Sequence, residues 1–225
     1  AEAQSEYTFL NLEDETAAID WPISLDEAER SEKDLAHPRL ADVVPMKPLR
    51  TLVIGANGQL GRALQQKLPN ADFADRTRID LANPASLESV RWSDYDTVIN
   101  AAAYTAVDAA ETAEGRVGCW AANVTGVAGL ARFAAAHRIT LVHVSSDYVF
   151  DGSKDGAYLE NDAIAPLGVY GQSKAAGDAT ASTVPQHYIV RTSWVIGDGN
   201  NFVRTMASLA ERGIDPSVVD DQLGR

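Results

Sequence analysis

Basic residues are scarce in this chain. Nineteen Lys and Arg face thirty-two Asp and Glu over 225 residues, a formal net charge of −13. Proteins that grip a nucleic-acid backbone neutralise phosphates with clustered cations, so this balance argues against that class. It leaves nucleotide ligands open, because local dipoles can hold those. Cysteine is nearly absent: Cys119 stands alone, which excludes an internal disulfide. Its apolar helical surroundings mark it as a buried small hydrophobe. There is no apolar run of roughly 18 residues, as a membrane span needs. Nor does a basic stretch followed by an apolar core mark a signal peptide. The expectation is a soluble, cytoplasmic protein with neither membrane nor nucleic-acid partners. Hydrophobic residues, by contrast, are plentiful at 45%, enough for a real core in one large or two small domains.

The charge is uneven. Residues 1–50 hold twelve acidic and five basic side chains, a balance of −7 and over half the total. Within 1–49, a strand is expected over 7–12, then Trp21-Pro22, an acidic stretch over 25–35, and prolines at 38, 45 and 48. Prolines at this density suit extended segments and a linker. Ile19, Trp21, Ile23 and Leu25 are too few for a core of their own. The expected organisation is an acidic, proline-containing extension over 1–49 and a second domain over 50–225.

From Arg50 the pattern alternates. Thr51-Leu-Val-Ile54 reads as a buried strand, followed by glycines at 55, 58 and 61 and a helical pattern through Leu60, Ala63, Leu64 and Leu68. Further strands are expected over 71–75, 96–102, 140–145, 187–191 and 218–219. Helices are expected over 84–91 (capped by Asn83, Pro84 at its first position), 107–137 (broken near Gly115), 169–181 and 201–212. Strands alternating with helices imply an α/β fold, a Rossmann-like doubly wound parallel sheet. Ligands of such sheets lie at the carboxyl ends of the strands.

Those ends carry the chemistry. Strand, glycine turn and helix open a dinucleotide-binding unit. Gly55 makes the turn, Gly58 lets a pyrophosphate approach the backbone, and Gly61 allows close helix packing. Asn57, Gln59 and Leu60 complete the candidate phosphate loop. After the second strand, Asp75 suits a ribose hydroxyl pair and Arg76 or Arg78 a 2′-phosphate, so NADH and NADPH both remain open. Asp80 and Leu81 flank the adenine or form a solvated turn. The small run Ala101-Ala102-Ala103 lets a flat cofactor pass, or simply packs sheet on helix. Ser146 ends the fourth strand. Tyr170 and Lys174, four apart, share a helix face, where an ammonium can stabilise a phenolate and lower the tyrosine pKa.

The combination resembles the extended short-chain dehydrogenase/reductases. More closely, the chain resembles the dTDP-4-dehydrorhamnose reductases through Asn100-Ala-Ala-Ala-Tyr-Thr-Ala-Val-Asp108, Ser146-Asp-Tyr-Val-Phe-Asp-Gly152, Val169-Tyr-Gly-Gln-Ser-Lys174, Arg191-Thr-Ser-Trp194, Asn200-Asn-Phe202 and Asp220-Asp-Gln-Leu-Gly224. The resemblance implies reduction of the C4 ketone of dTDP-6-deoxy-L-lyxo-4-hexulose by NADPH or NADH, giving dTDP-L-rhamnose. It implies Ser146, Tyr170 and Lys174 as catalytic residues, Tyr170 and Lys174 also as cofactor contacts with Lys174 on the nicotinamide ribose, and Val107, Ser146, Tyr148, Tyr170 and Trp194 as substrate contacts. Asn123 either supports Lys174 through water or lies on a helix surface. The family continues beyond the point where this sequence stops, so the smaller substrate domain is expected to be partial; no metal is assigned, and the oligomeric state stays open, a homodimer among the options. Ile19-Asp-Trp-Pro-Ile23, Ser31-Glu-Lys-Asp34 and Pro38-Arg-Leu40 resemble the C-terminal tail of dTDP-4-dehydrorhamnose 3,5-epimerase. That implies a parent in which an epimerase is fused ahead of the reductase; the epimerase barrel and its acid/base histidine are absent here, so no epimerase activity is expected of 1–225. Two alternatives stand beside the reductase: a non-catalytic binding module of the same fold, and another nucleotide-sugar epimerase or dehydratase. Tyr148, where dehydratases carry a glutamate beside Asp147, favours simple reduction.

Overall fold

Five aliphatic-rich segments pair as a wholly parallel sheet. They are β1 (Arg50–Ile54), β2 (Asp72–Ala74), β3 (Tyr95–Asn100), β4 (Thr140–Ser146) and β5 (His187–Thr192), in the order β2-β1-β3-β4-β5. The computed structural model describes residues 9–43, 49–199 and 201–218. Leu52, Val53 and Ile54 are all fully buried. Successive strand side chains point to opposite faces, so β1 is covered on both, as a parallel sheet requires. The strand order reverses direction between β1 and β3, and Ile54 and Asn100, the last residues of those two strands, lie in register. That is the switch point at which doubly wound sheets open a crevice.

The covering helices are α2 (Gln59–Lys67), α3 (Ala85–Glu88), α4 (Val107–Ala110), α5 (Ala113–Trp120), α6 (Val127–Ala136), α7 (Val169–Ala181) and α8 (Phe202–Glu211). The main core joins Leu52, Ile54, Val98 and Leu141 of the sheet to Leu87 of α3 and Val127, Leu130 and Ala134 of α6. Trp92 closes it, stacked on Phe133 with its indole N–H given to the Leu87 carbonyl at 2.9 Å. A second cluster joins Ala110, Cys119, Val169 and Tyr170, so Cys119 is the buried hydrophobe its surroundings implied.

The long helical region over 107–137 breaks near Gly115, as expected: the Thr112 hydroxyl accepts from the Gly115 N–H at 3.0 Å and starts α5. A hydroxyl that can satisfy a first-turn amide outcompetes helix continuation. Farther on, residues Ala121–Gly126 form a π-helical turn between α5 and α6. The helix expected over 84–91 ends at Glu88, and Pro84 itself takes the cap position in helical conformation; the chain turns there to bury Trp92. Residues 9–12 of the strand expected over 7–12 form no strand, and 7 and 8 lie outside the described residues. Val218 is likewise not in a strand, and Val219 lies outside the described residues.

The chain divides into two units, Ala1–Pro48 and Leu49–Arg225. In the first, Asp14 is the one buried residue among those described. Its carboxylate accepts from the backbone N–H groups of Thr16, Ala17 and Leu40, the last at 2.5 Å, and these bonds hold its pKa below the ordinary value. Asn11 reaches the carbonyls of Leu35 and His37, while Arg30 and Arg39 pair with Glu13. One short helix, α1 (Glu32–Leu35), carries a Ser31–Asp34 capping box. Ile19 and Ile23 are exposed, so polar bonds rather than apolar burial organise this unit. No helix among the described residues is long and apolar enough to cross a membrane. Leu130 is fully buried in the main core. Its replacement in Leu130→Ala is expected to cost about 3 kcal/mol, read as a lowered urea midpoint at unchanged m-value.

Candidate active site

The glycine turn forms as its spacing requires. Gly55 leaves β1 with φ of +96°, and a Cβ there would lie 2.8 Å from the backbone of Ala101 and Ala102 beyond β3. Only glycine allows that conformation and that approach together. At Gly61, in the first turn of α2, a Cβ would meet the Gly55 carbonyl oxygen at 2.1 Å. Helix and turn are thus in backbone contact. Gly58 caps α2 without any side-chain bond, leaving the first-turn amides of a nine-residue helix to an outside acceptor. Asn57, Gln59 and Leu60 lie in the same turn. This cradle suits a pyrophosphate.

Beyond β2, Asp75 accepts from the Thr77 hydroxyl at 2.6 Å and from Asn57 Nδ2 at 3.1 Å, and its pKa is lowered, first by the Thr77 bonds. It stays ionised beside the turn. Arg76 donates to Asp80 at 3.1 Å with its side chain otherwise exposed. The Leu81 side chain lies in the main core, whereas its neighbour Asp80 accepts from the Ala82 N–H. Ala101, Ala102 and Ala103 are half-buried at the end of β3.

Ser146 is the last residue of β4 and is buried. Its hydroxyl donates to Asp147 Oδ1 at 3.1 Å and accepts from the Tyr148 N–H at 3.2 Å. Asp147 is held on its other oxygen by the Ser193 hydroxyl at 2.6 Å. Tyr170 enters from the first turn of α7. That helix is capped from outside itself: Glu111 Oε1 accepts the Val169 N–H at 2.7 Å, a carboxylate placed where the helix dipole favours it. The Tyr148 ring packs edge-on to Tyr170 at 5.6 Å, and Val107 and Tyr104 pack against the cluster that holds it. Trp194, after β5, is exposed and lines an apolar depression with Val195, Ile196, Phe202 and Val203.

Burial pushes the Tyr170 phenol above its ordinary pKa, and the nearby Ser146 hydroxyl only partly opposes this. The lowering expected from Lys174 is not realised in the folded chain. Lys174 is 2% exposed and gives its ammonium to the Val144 carbonyl at 2.7 Å. Desolvation brings its pKa down to about 8, with Asp178 pulling the other way.

Asn123 is not on a helix surface. It is buried in the π-helical turn, accepts from the Tyr104 N–H at 2.8 Å, and donates to the Tyr104 carbonyl and the Ser173 hydroxyl. An i, i+4 pattern gives no sign of a π-turn, so the sequence left this choice open. A second buried group escaped sequence reasoning altogether. Asn100, His143 and Asp178 meet beneath Lys174, with Arg191 donating to Asp178 at 3.1 Å. His143 alternates with Leu141 along β4 and reads as one polar residue in an apolar strand. The available signal was Asp178, four residues after Lys174 on one helix face.

The chain matches the family model described as the RmlD substrate binding domain over residues 49–225. It is 45% identical over 183 residues to the dTDP-4-dehydrorhamnose reductase of Aggregatibacter actinomycetemcomitans, covering 78% of this chain and 62% of that protein. Among solved structures, a dTDP-4-dehydrorhamnose reductase from Clostridium acetobutylicum superposes with a TM-score of 0.68 at 37% identity, over 73% of this chain and 60% of that one. The Bacillus anthracis dTDP-4-dehydrorhamnose reductase, solved in complex with NADP, gives 0.68 at 36% identity, over 74% and 61%. The chain thus spans about three fifths of the length of the relatives it matches.

Burial and the nearby Lys174 charge hold the His143 pKa down to about 3, against an ordinary 6.5. The unfolded chain therefore binds a proton that the folded chain refuses between those values. Stability from this group is complete above pH 6.5 and is lost as pH falls toward 3. Between roughly pH 5 and 6, His143→Gln should flatten the slope of unfolding free energy by up to about 1.4 kcal/mol per pH unit, measured by urea titration across pH.

Proposed function

The chain belongs to the RmlD substrate binding domain family, and we propose that it reduces the C4 ketone of dTDP-6-deoxy-L-lyxo-4-hexulose to dTDP-L-rhamnose with NADPH or NADH. One observation carries the chemistry of this reading: a serine, a tyrosine and a buried lysine stand together at the carboxyl end of β4 and on α7. The Gly55–Gly61 cradle fits the cofactor's pyrophosphate, because the space a Cβ would fill at Gly55 is bounded by backbone and α2 offers uncapped amides. Asp75 suits the hydroxyls of the adenosine ribose, and Arg76 a 2′-phosphate.

When bound, the reduced nicotinamide supplies the hydride for C4. Tyr170 then protonates the sugar's C4 oxygen. A proton donor must start neutral, and the raised phenol pKa keeps it so. Ser146, at the strand end, hydrogen-bonds the carbonyl and fixes its direction. Lys174, one helical turn along α7, supplies the cation for the phenolate that Tyr170 becomes. Tyr148 and Val107 flank Tyr170 where the sugar must sit, and Trp194 with its apolar neighbours contributes a face for the nucleotide. The three-fifths span leaves the rest of the sugar-nucleotide site to residues that the relatives have outside the matched stretch.

The partner reading is an epimerase fused ahead of the reductase, supported by the run from Ile19 to Leu40, together with a homodimer. The test is NAD(P)H oxidation by 1–225 and by the protein expressed from its complete gene, given dTDP-4-dehydro-6-deoxy-D-glucose with and without added 3,5-epimerase. Turnover is expected with added epimerase, and from the complete protein also without it. No oxidation under any condition would point to the non-catalytic binding module. Tyr170→Phe should lower turnover at least about a thousandfold while cofactor binding, read by fluorescence, stays within about twofold.

A further inference from the structure

A buried ammonium needs a counter-charge, and the obvious one is not in the catalytic trio. Asp178 lies one helical turn beyond Lys174 on α7 and is equally buried, at 2% exposure. Its Oδ2 accepts from Arg191 Nε of β5 at 3.1 Å. Its Oδ1 has no hydrogen-bond partner among the described residues, and neither has His143 Nε2, which lies 3.8 Å away.

The network fixes where the imidazole proton sits. Asn100 Oδ1 accepts from the Ala102 N–H at 3.2 Å, so its Nδ2 is the atom facing His143 Nδ1 at 3.1 Å. An amide NH₂ can only donate, so Nδ1 accepts and the single proton of the neutral ring is on Nε2. Nε2 lies 3.8 Å from Asp178 Oδ1, beyond hydrogen-bond reach. His143 is kept neutral by its burial and by Lys174. A neutral ring adds no second cation beneath the ammonium and leaves the carboxylate's charge to act on it.

We propose that Asp178 is a positioning residue, a buried counter-ion one helical turn from Lys174 that keeps its ammonium charged, with Arg191 holding the carboxylate in place. The chain of contacts starts at the Ala102 amide, beside the switch-point crevice, and runs through β3, β4 and α7 to β5. It deepens the reductase reading and rests on it, since the charge matters through Tyr170. The groups acting on Lys174 are Asp178 from its own helix, Cys119 from α5 and His143 from β4, with Arg191 of β5 behind the carboxylate.

The test reads Lys174 directly, without cofactor or substrate, so it is independent of whether the chain turns over a sugar. Lysine Cε resonances of 13C-labelled protein are titrated, with the Lys174 signal assigned by its loss in Lys174→Met. Asp178→Asn should move the Lys174 midpoint down by about one unit or more, a tenfold weaker hold on the proton. Asp178→Glu should restore most of it. Should Asp178→Asn not fold, the pair Asp178→Asn with Arg191→Gln removes the stranded guanidinium and should shift the midpoint in the same direction. An unmoved midpoint in a folded variant lacking the carboxylate would overturn the proposal.

Discussion

The larger unit is organised around a cation that water cannot reach. Lys174 is among its most deeply buried side chains, and an uncompensated charge in that environment costs several kcal/mol. The surroundings supply what water would have supplied. The Val144 carbonyl accepts the ammonium, and Asp178 offers opposite charge from the next turn of the same helix. That arrangement in turn demands Arg191 for the carboxylate and a neutral His143 beneath it. Asn100, locked by the Ala102 amide, settles which tautomer His143 adopts. Side chains from three strands and one helix are thus constrained by one buried charge.

The same burial acts on the neighbouring phenol. Tyr170 is pushed toward its neutral form by the desolvation that brings Lys174 down. A neutral phenol beside a strand-end serine is in the form that can donate a proton. Lys174 is engaged with the Val144 carbonyl, and the phenol of Tyr170 is raised rather than lowered. Closeness of backbone to backbone plays a parallel part at the other end of the site. Gly55 and Gly61 bring β1, α2 and the end of β3 within contact distance, and the crevice is shaped by main chain rather than side chains.

Much of this was legible in the residues. Strands β1, β3, β4 and β5 and helices α2, α7 and α8 follow from aliphatic runs, glycine punctuation and cap residues such as Asn201, all of which are local signals. The glycine triplet, Ser146, Tyr170 and Lys174 were readable because their spacing is set by a strand period, a turn or a helix repeat. Less legible were the features that depend on what else is nearby. The break expected near Gly115 is made by Thr112, whose hydroxyl takes the Gly115 amide, a pairing that spacing alone does not show. Among the described residues, 9–12 of the strand expected over 7–12 pair with no strand and are tied instead to the carbonyls of 35–38.

The sequence by itself determined the alternation of strand and helix, the parallel α/β class, the glycine turn after β1 and the spacing of the candidate site residues. Each is encoded in a short stretch whose periodicity or steric freedom is a property of the residues themselves. Only the tertiary structure decided the electrostatics. Asn100, His143, Asp178 and Arg191 are far apart in the chain and meet because parallel strands in the order β3-β4-β5 lie side by side under α7. The burial of Asn123, the proton on His143 Nε2 and the raised phenol of Tyr170 arise there too. Desolvation and charge depend on distances through space, and folding sets those distances.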